Sequence, residues 1–172
     1  MFPFPFIFPS QFQTLFSHPL NTRADCTLLL LFPLRALRLR RLRNVTLVGF
    51  VCGAAYVEHC SSCSLHIAAA QVRIHDSDGV SFALRVRSRP IVERTRGAIF
   101  SPLLLPAVPD QEEGSSPCDT LLAACLLDEP HRPAWDGMWG RVDDFSWIKA
   151  AHSPNWASAG ATDWPVAPVG EA

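Results

Sequence analysis

Residues 68–93, AAAQVRIHDSDGVSFALRVRSRPIVE, alternate apolar and polar positions in two runs split by the tetrad Asp76-Ser77-Asp78-Gly79. Alternation of this kind fits half-buried β-strands, and Asp, Ser and Gly are turn formers. The unit recurs along the chain. Arg41-Leu42-Arg43-Asn44 precedes VTLV, Cys60-Ser61-Ser62-Cys63 precedes SLHI, Asp76–Gly79 precedes VSFALRV, and Arg94-Thr95-Arg96-Gly97 precedes AIF. The turns start 19, 16 and 18 residues apart. A strand-rich, helix-poor repeat of this length predicts an all-β parallel β-helix in which each coil stacks on the last. The competing arrangement is an antiparallel meander. Alternation places Val45, Leu47, Ile67, Val72, Ile74, Phe82, Leu84, Ile91 and Phe100 in the core of stacked strands spanning 44–100. The stretch LRALRLRRLR (34–43) fits either an Arg-faced strand pair or a basic amphipathic helix.

Outside the repeat the pattern changes. Residues 1–25 are rich in Phe and Pro and read as a disordered tail, and residues 26–105 hold the β-helix. Residues 106–133 are Pro-rich and acidic, a linker with room for one short helix at Asp119–Leu127, capped by Asp119 or Thr120. Residues 134–157 carry Trp135, Trp139, Trp147 and Trp156, and residues 158–172 form a final tail. Exposed aromatics in a Pro-rich segment leave much apolar surface in water. Phe145, Trp147 and Trp156 are therefore expected to pack on the β-helix and fix the end of the chain.

Charge alters this picture modestly. The formal net charge is -1, but residues 1–45 carry six arginines against one aspartate, and residues 101–172 carry three basic against eleven acidic side chains. A basic front and an acidic back suit a charged partner, or simply two polar faces. Apolar runs such as Thr27–Phe32 fall far short of the ~20 residues of a membrane span, so no membrane is expected as partner; no nucleic acid is expected either. The opening segment lacks a basic stretch and is broken by Pro3, Pro5 and Pro9, which makes it a poor signal peptide. Cys60 and Cys63, flanked by His59 and His66, resemble half a zinc site, but no second pair follows at similar spacing. Small buried cysteines are the expectation, with no metal and no cofactor.

One pair of charges falls close to the repeat length. Arg73 and Glu93 are twenty residues apart, and strands of adjacent coils lie about 4.8 Å apart. Glu93 is thus placed beside Arg73, either to hold its guanidinium in a directed geometry or as an ordinary surface ion pair.

The run QVRIHDSDGVSFALRVRSRPIVERTRGAIFSP (71–102) resembles the core of the tubulin-binding cofactor C domain family: a Gln-x-Arg strand, a polar turn, a second strand, then Pro-Ile-Val-Glu and a Phe-x-Pro ending. A second block, WGRVDDFSWIKAAHSPNW (139–156), is similar to the family's C-terminal signature. The resemblance implies a right-handed parallel β-helix and a role in tubulin folding after the chaperonin, with tubulin and the tubulin-folding cofactors D and E as partners. It implies stimulation of GTP hydrolysis by tubulin, the GTP being bound by the partner, so that the chain is an activator in trans and not itself an enzyme. It maps the arginine finger onto Arg73, the glutamate that orients it onto Glu93, and a supporting glutamine onto Gln71. Ala70 stands where related members often carry a second glutamine. A cytoplasmic, cytoskeleton-associated protein follows from the same resemblance. Two alternatives share the fold: an activator of a small Arf-like GTPase, and a non-catalytic cytoskeletal binding module. The first is associated with a Met-Gly acylation start, whereas this chain begins Met-Phe.

Overall fold

The computed structural model describes residues 19–104 and 117–160. Strands β1 (Pro19–Leu34), β2 (Leu37–Glu58), β3 (Ser64–His75), β4 (Ser81–Val86), β5 (Ile91–Glu93) and β6 (Ala98–Pro102) are followed by helix α1 (Pro117–Ala124), and strands β7 (Asp143–Asp144) and β8 (Trp156–Ser158) come last. Every ladder is parallel, in the order β1-β2-β3-β4-β6-β8, with β5 joining β3 to β7. A chain that returns to parallel pairing once per repeat, without crossover helices, is a β-helix. The meander is excluded.

The polar tetrads are the corners. Each holds two residues with positive φ, three apart: Thr22 and Asp25, Arg41 and Asn44, His59 and Ser62, Asp76 and Gly79, Arg94 and Gly97. A left-handed residue at each end swings the chain from one sheet face to the next while keeping the ladders parallel. Parallel bridges Arg43–Ser61–Asp78–Arg96 stitch successive corners together. The second corner thus begins at His59, one residue before the expected Cys60. An additional corner at Thr22–Asp25 and a strand beginning at Pro19 lie inside the stretch read above as tail. Residues 37–43 belong to β2, so the basic stretch is strand and not amphipathic helix.

The core is built as columns. Leu28, Leu47, Leu65, Phe82 and Phe100 align in successive coils, and the Phe82 and Phe100 rings stack with centroids 5.1 Å apart. Val57, Ile74 and Val92 form a second buried column. Val45, Leu47, Ile67, Val72, Ile74, Phe82, Leu84 and Phe100 are all buried, as alternation predicted. Ile91 is the exception. It pairs with outward-facing Arg73 and must share that facing, so its neighbour Val92 takes the core position. Cys60 and Cys63 are buried core residues.

A second apolar layer explains why outward residues of β2–β4 are also apolar. Val48, Phe50, Ala68 and Ala83 are covered by Leu121, Leu122, Cys125, Leu127 and Trp135. The expected short helix exists there at Pro117–Ala124, starting two residues and ending three residues before the expected bounds. Arg85 enters this layer with its guanidinium 4.2 Å from the Trp135 ring centroid and Nη1 donating to the Leu127 carbonyl at 3.1 Å.

The C-terminal segment closes the solenoid through β7 on β5 and β8 on β6. Trp156 docks edge-on against Phe100, centroids 6.0 Å apart, and Met138, Trp139 and Val142 pack on the same core. Phe145 and Trp147 do not join them. Phe145 is 64% exposed, and Trp147 folds onto its own loop, donating from Nε1 to the Ala151 carbonyl at 2.7 Å. Backbone pairing explains the difference: the Phe145 amide closes the ladder to the Val92 carbonyl, and beyond it the chain turns away from the sheet.

Candidate functional site

The outward face of β2, β3 and β5 carries the expected site. Parallel register lays it out in columns: Ala54 beside Gln71; Tyr56 beside Arg73 beside Ile91; Glu58 beside His75 beside Glu93. Asp143 of β7 continues the column of Arg73 beyond Ile91. Arg73 is exposed and flanked laterally by partly exposed Tyr56 and Ile91. Buried Val72 and Ile74 on either side anchor its backbone.

Glu93 is not beside Arg73. The coil period here is eighteen, which aligns Arg73 with Ile91 and moves Glu93 two positions further along the same face. Its carboxylate is bound elsewhere. His75 Nδ1 lies 3.2 Å from one oxygen, and the Arg94 guanidinium meets the other. Arg94 in turn forms a forked pair with Asp76, Nε to Oδ1 at 2.7 Å and Nη2 to Oδ2 at 3.1 Å. That guanidinium holds the Asp76 carboxyl below its ordinary range. Gln71 does share the face with Arg73, two residues away on the same strand.

The neighbouring cations are neutralised. Arg38 donates to Glu58 at 2.6 Å, with Arg40 3.7 Å from the other oxygen, and Arg89 meets Asp143 at 2.9 Å. The Arg38 hydrogen bond keeps the Glu58 carboxyl below its usual value. Arg73 has no carboxylate partner among the described residues. Sequence reasoning placed Glu93 beside Arg73 and missed His75 and Arg94 as its holders. A stricter count of the corner-to-corner spacing would have found them.

The two C-terminal blocks clasp each other. Asp144 accepts from Ser153 Oγ at 2.6 Å, Asn155 Nδ2 at 2.8 Å and the Ser146 amide at 2.9 Å. Burial alone would raise this carboxyl, but the three hydrogen bonds outweigh it and hold it low. Arg89–Asp143 and the Ser146 hydroxyl, which accepts from the Arg94 amide at 2.8 Å, tie this clasp to the face that bears Arg73.

A parallel solenoid that presents an exposed guanidinium on one sheet face, without a carboxylate partner among the described residues, is a scaffold for offering a side chain to another molecule. Sequence comparison agrees on the class. The chain belongs to the tubulin binding cofactor C family, whose sequence model matches residues 18–112. It is 35% identical over 134 residues to the tubulin-folding cofactor C of Arabidopsis thaliana, covering 77% of this chain and 35% of that protein. It is 32% identical over 142 residues to the tubulin-specific chaperone C of Homo sapiens, covering 80% of this chain and 37% of that protein. The chain thus spans little more than a third of the length of these curated relatives. The solved structure of tubulin binding cofactor C from Leishmania major superposes with a TM-score of 0.68 at 18% identity, covering 82% of this chain and 87% of that one, so the fold is shared. Among the described residues no helix is long and apolar enough to cross a membrane.

Proposed function

We propose that this chain takes part in tubulin folding and stimulates GTP hydrolysis by tubulin, with Arg73 as an arginine finger supplied in trans. The observation that carries the reading is the contrast on one sheet face: Arg38, Arg40 and Arg89 face carboxylates, and Arg73 stands exposed without one among the described residues. A guanidinium already saturated by a carboxylate has little to offer a phosphoryl group. A free one on a rigid strand is ready to donate two directed hydrogen bonds to the oxygens that gain charge in the transition state. Such a finger contributes roughly 10³ to 10⁵ in rate. The activator holds neither nucleotide nor cofactor; GTP sits on the partner.

In this reading Glu93 orients Arg73 when the partner is engaged, exchanging His75 for the guanidinium, and Gln71 supports the same contact from two residues away. Tyr56 and Ile91 flank the finger on either side of its strand. The names of the relatives point to tubulin as the substrate, and cofactors D and E in the cytoplasm complete the assembly in which hydrolysis is read. The test is single-turnover GTP hydrolysis by tubulin with cofactors D and E, with and without this chain. Stimulation supports the reading. Stimulation of a small Arf-like GTPase instead would transfer the finger to a different partner, and no stimulation of either would leave a binding module.

A further inference from the structure

Two cysteines with no part in the finger chemistry meet at the junction between the solenoid and the C-terminal segment. Cys52 lies in β2 at the register shift between Val51 and Ala54, and Cys125 follows α1, 73 residues later. Their Sγ atoms are 3.4 Å apart, and the Cys52 thiol also approaches the Ala124 carbonyl at 3.4 Å. Both are reduced; Cys125 is buried in the layer under α1, while Cys52 sits half-buried at its rim. A disulfide needs about 2.05 Å between sulfurs, so the pair is within roughly 1.5 Å of bonding. The other close thiols differ. Cys60 and Cys63 each turn to a backbone carbonyl, of Glu58 at 3.4 Å and Ser61 at 3.2 Å.

The surroundings separate the two roles. Burial, with the Cys52 contact adding to it, pushes the Cys125 thiol up to about 12. Arg87 works against this. Its Nη2 reaches the Cys52 carbonyl at 3.5 Å, and its buried Nε has no hydrogen-bond partner among the described residues. Cys52, accessible at the rim, is the thiol that reacts first, and Cys125 resolves.

We propose that Cys52 and Cys125 form a redox modification site whose disulfide clips α1 and its layer onto the β-helix. With a low-molecular-weight disulfide as oxidant, the Cys52 thiolate attacks one sulfur and expels one small thiolate. Cys125 then gives up its proton and attacks the Cys52 sulfur of the mixed disulfide, expelling the second. One disulfide is reduced as the other forms, and the two thiol protons end on the two released thiols. The bond closes a long loop, which restricts the unfolded chain and holds α1 in place.

The experiment is incubation of the full chain with oxidised glutathione, followed by alkylation, intact mass and peptide mapping. The expected result is a mass lower by about 2 Da, a cross-linked peptide pair containing Cys52 and Cys125, and a melting temperature raised by roughly 5 °C or more, all reversed by reductant. Cys52→Ser, a change at the rim that leaves the buried layer intact, should abolish all three. Six alkylatable thiols after treatment, a bridge between other cysteines, or a glutathione adduct on Cys52 that never resolves would each overturn the proposal.

Discussion

Glu93 faces outward on the same sheet as Arg73, yet in the free chain it belongs to His75 and Arg94. The side-chain type was readable from the motif; its partner was missed, because a two-residue error in coil period leaves facing unchanged and only moves the neighbour. The corners make the same point. Asp76–Gly79 and Arg94–Gly97 read as turns from composition alone, but the paired left-handed conformations at each end appear only in the backbone. Gly79 has φ +59, and nothing lies within 4 Å of a Cβ built there, so Gly79→Ala tests conformation without steric clash. It should cost about 1 kcal/mol in urea unfolding. The equivalent residue one coil earlier, Ser62, is exposed with φ 51, and Ser62→Gly should be neutral or slightly stabilising. The opposite order of the two effects would reject the corner geometry.

At the scale of elements, periodicity revealed the strands because one face of each is buried in a column. It failed where a strand is short. Three residues in β5 cannot reveal their parity, and Ile91 was assigned inward while Val92 holds the core. The C-terminal aromatics failed for another reason: burial there is decided by the Asp144 clasp, which joins residues that sequence spacing does not relate. Trp156→Ala should lower stability by about 3 kcal/mol, because it removes the ring packed on Phe100, whereas Phe145→Ala should change it little. Equal losses in thermal melts would contradict this division. The clasp also sets a pH dependence. The Asp144 carboxyl is depressed in the folded state, so its contribution is present above its unfolded value of about 4 and is lost as pH falls through the folded one. Asp144→Asn should therefore reduce stability at pH 7 and narrow the gap to wild type below pH 3, measured by urea unfolding across that range. A gap that widens on acidification would assign the wrong sign to the clasp.

For the whole molecule, the parallel solenoid orders its charges more than its net charge suggests. Successive coils bring Arg38 to Glu58, Arg94 to Asp76, and Arg89 to Asp143, pairs far apart in sequence and adjacent in space. The six-to-one excess of arginine in the first 45 residues thus overstates the free positive charge of that region, since Arg38 and Arg40 are committed to Glu58. What remains on the face of β3 is Arg73, fixed by the buried columns beneath it and left open by the carboxylates around it. The decisive measurement is single-turnover GTP hydrolysis by tubulin, with cofactors D and E supplied, comparing wild type with Arg73→Ala, Arg73→Lys and Glu93→Ala chains of equal melting temperature. The account predicts loss of stimulation by a factor of about 10³ or more for Arg73→Ala, a weak response for Arg73→Lys, whose ammonium lacks paired donors, and a smaller defect for Glu93→Ala. Undiminished stimulation by folded Arg73→Ala protein would contradict it.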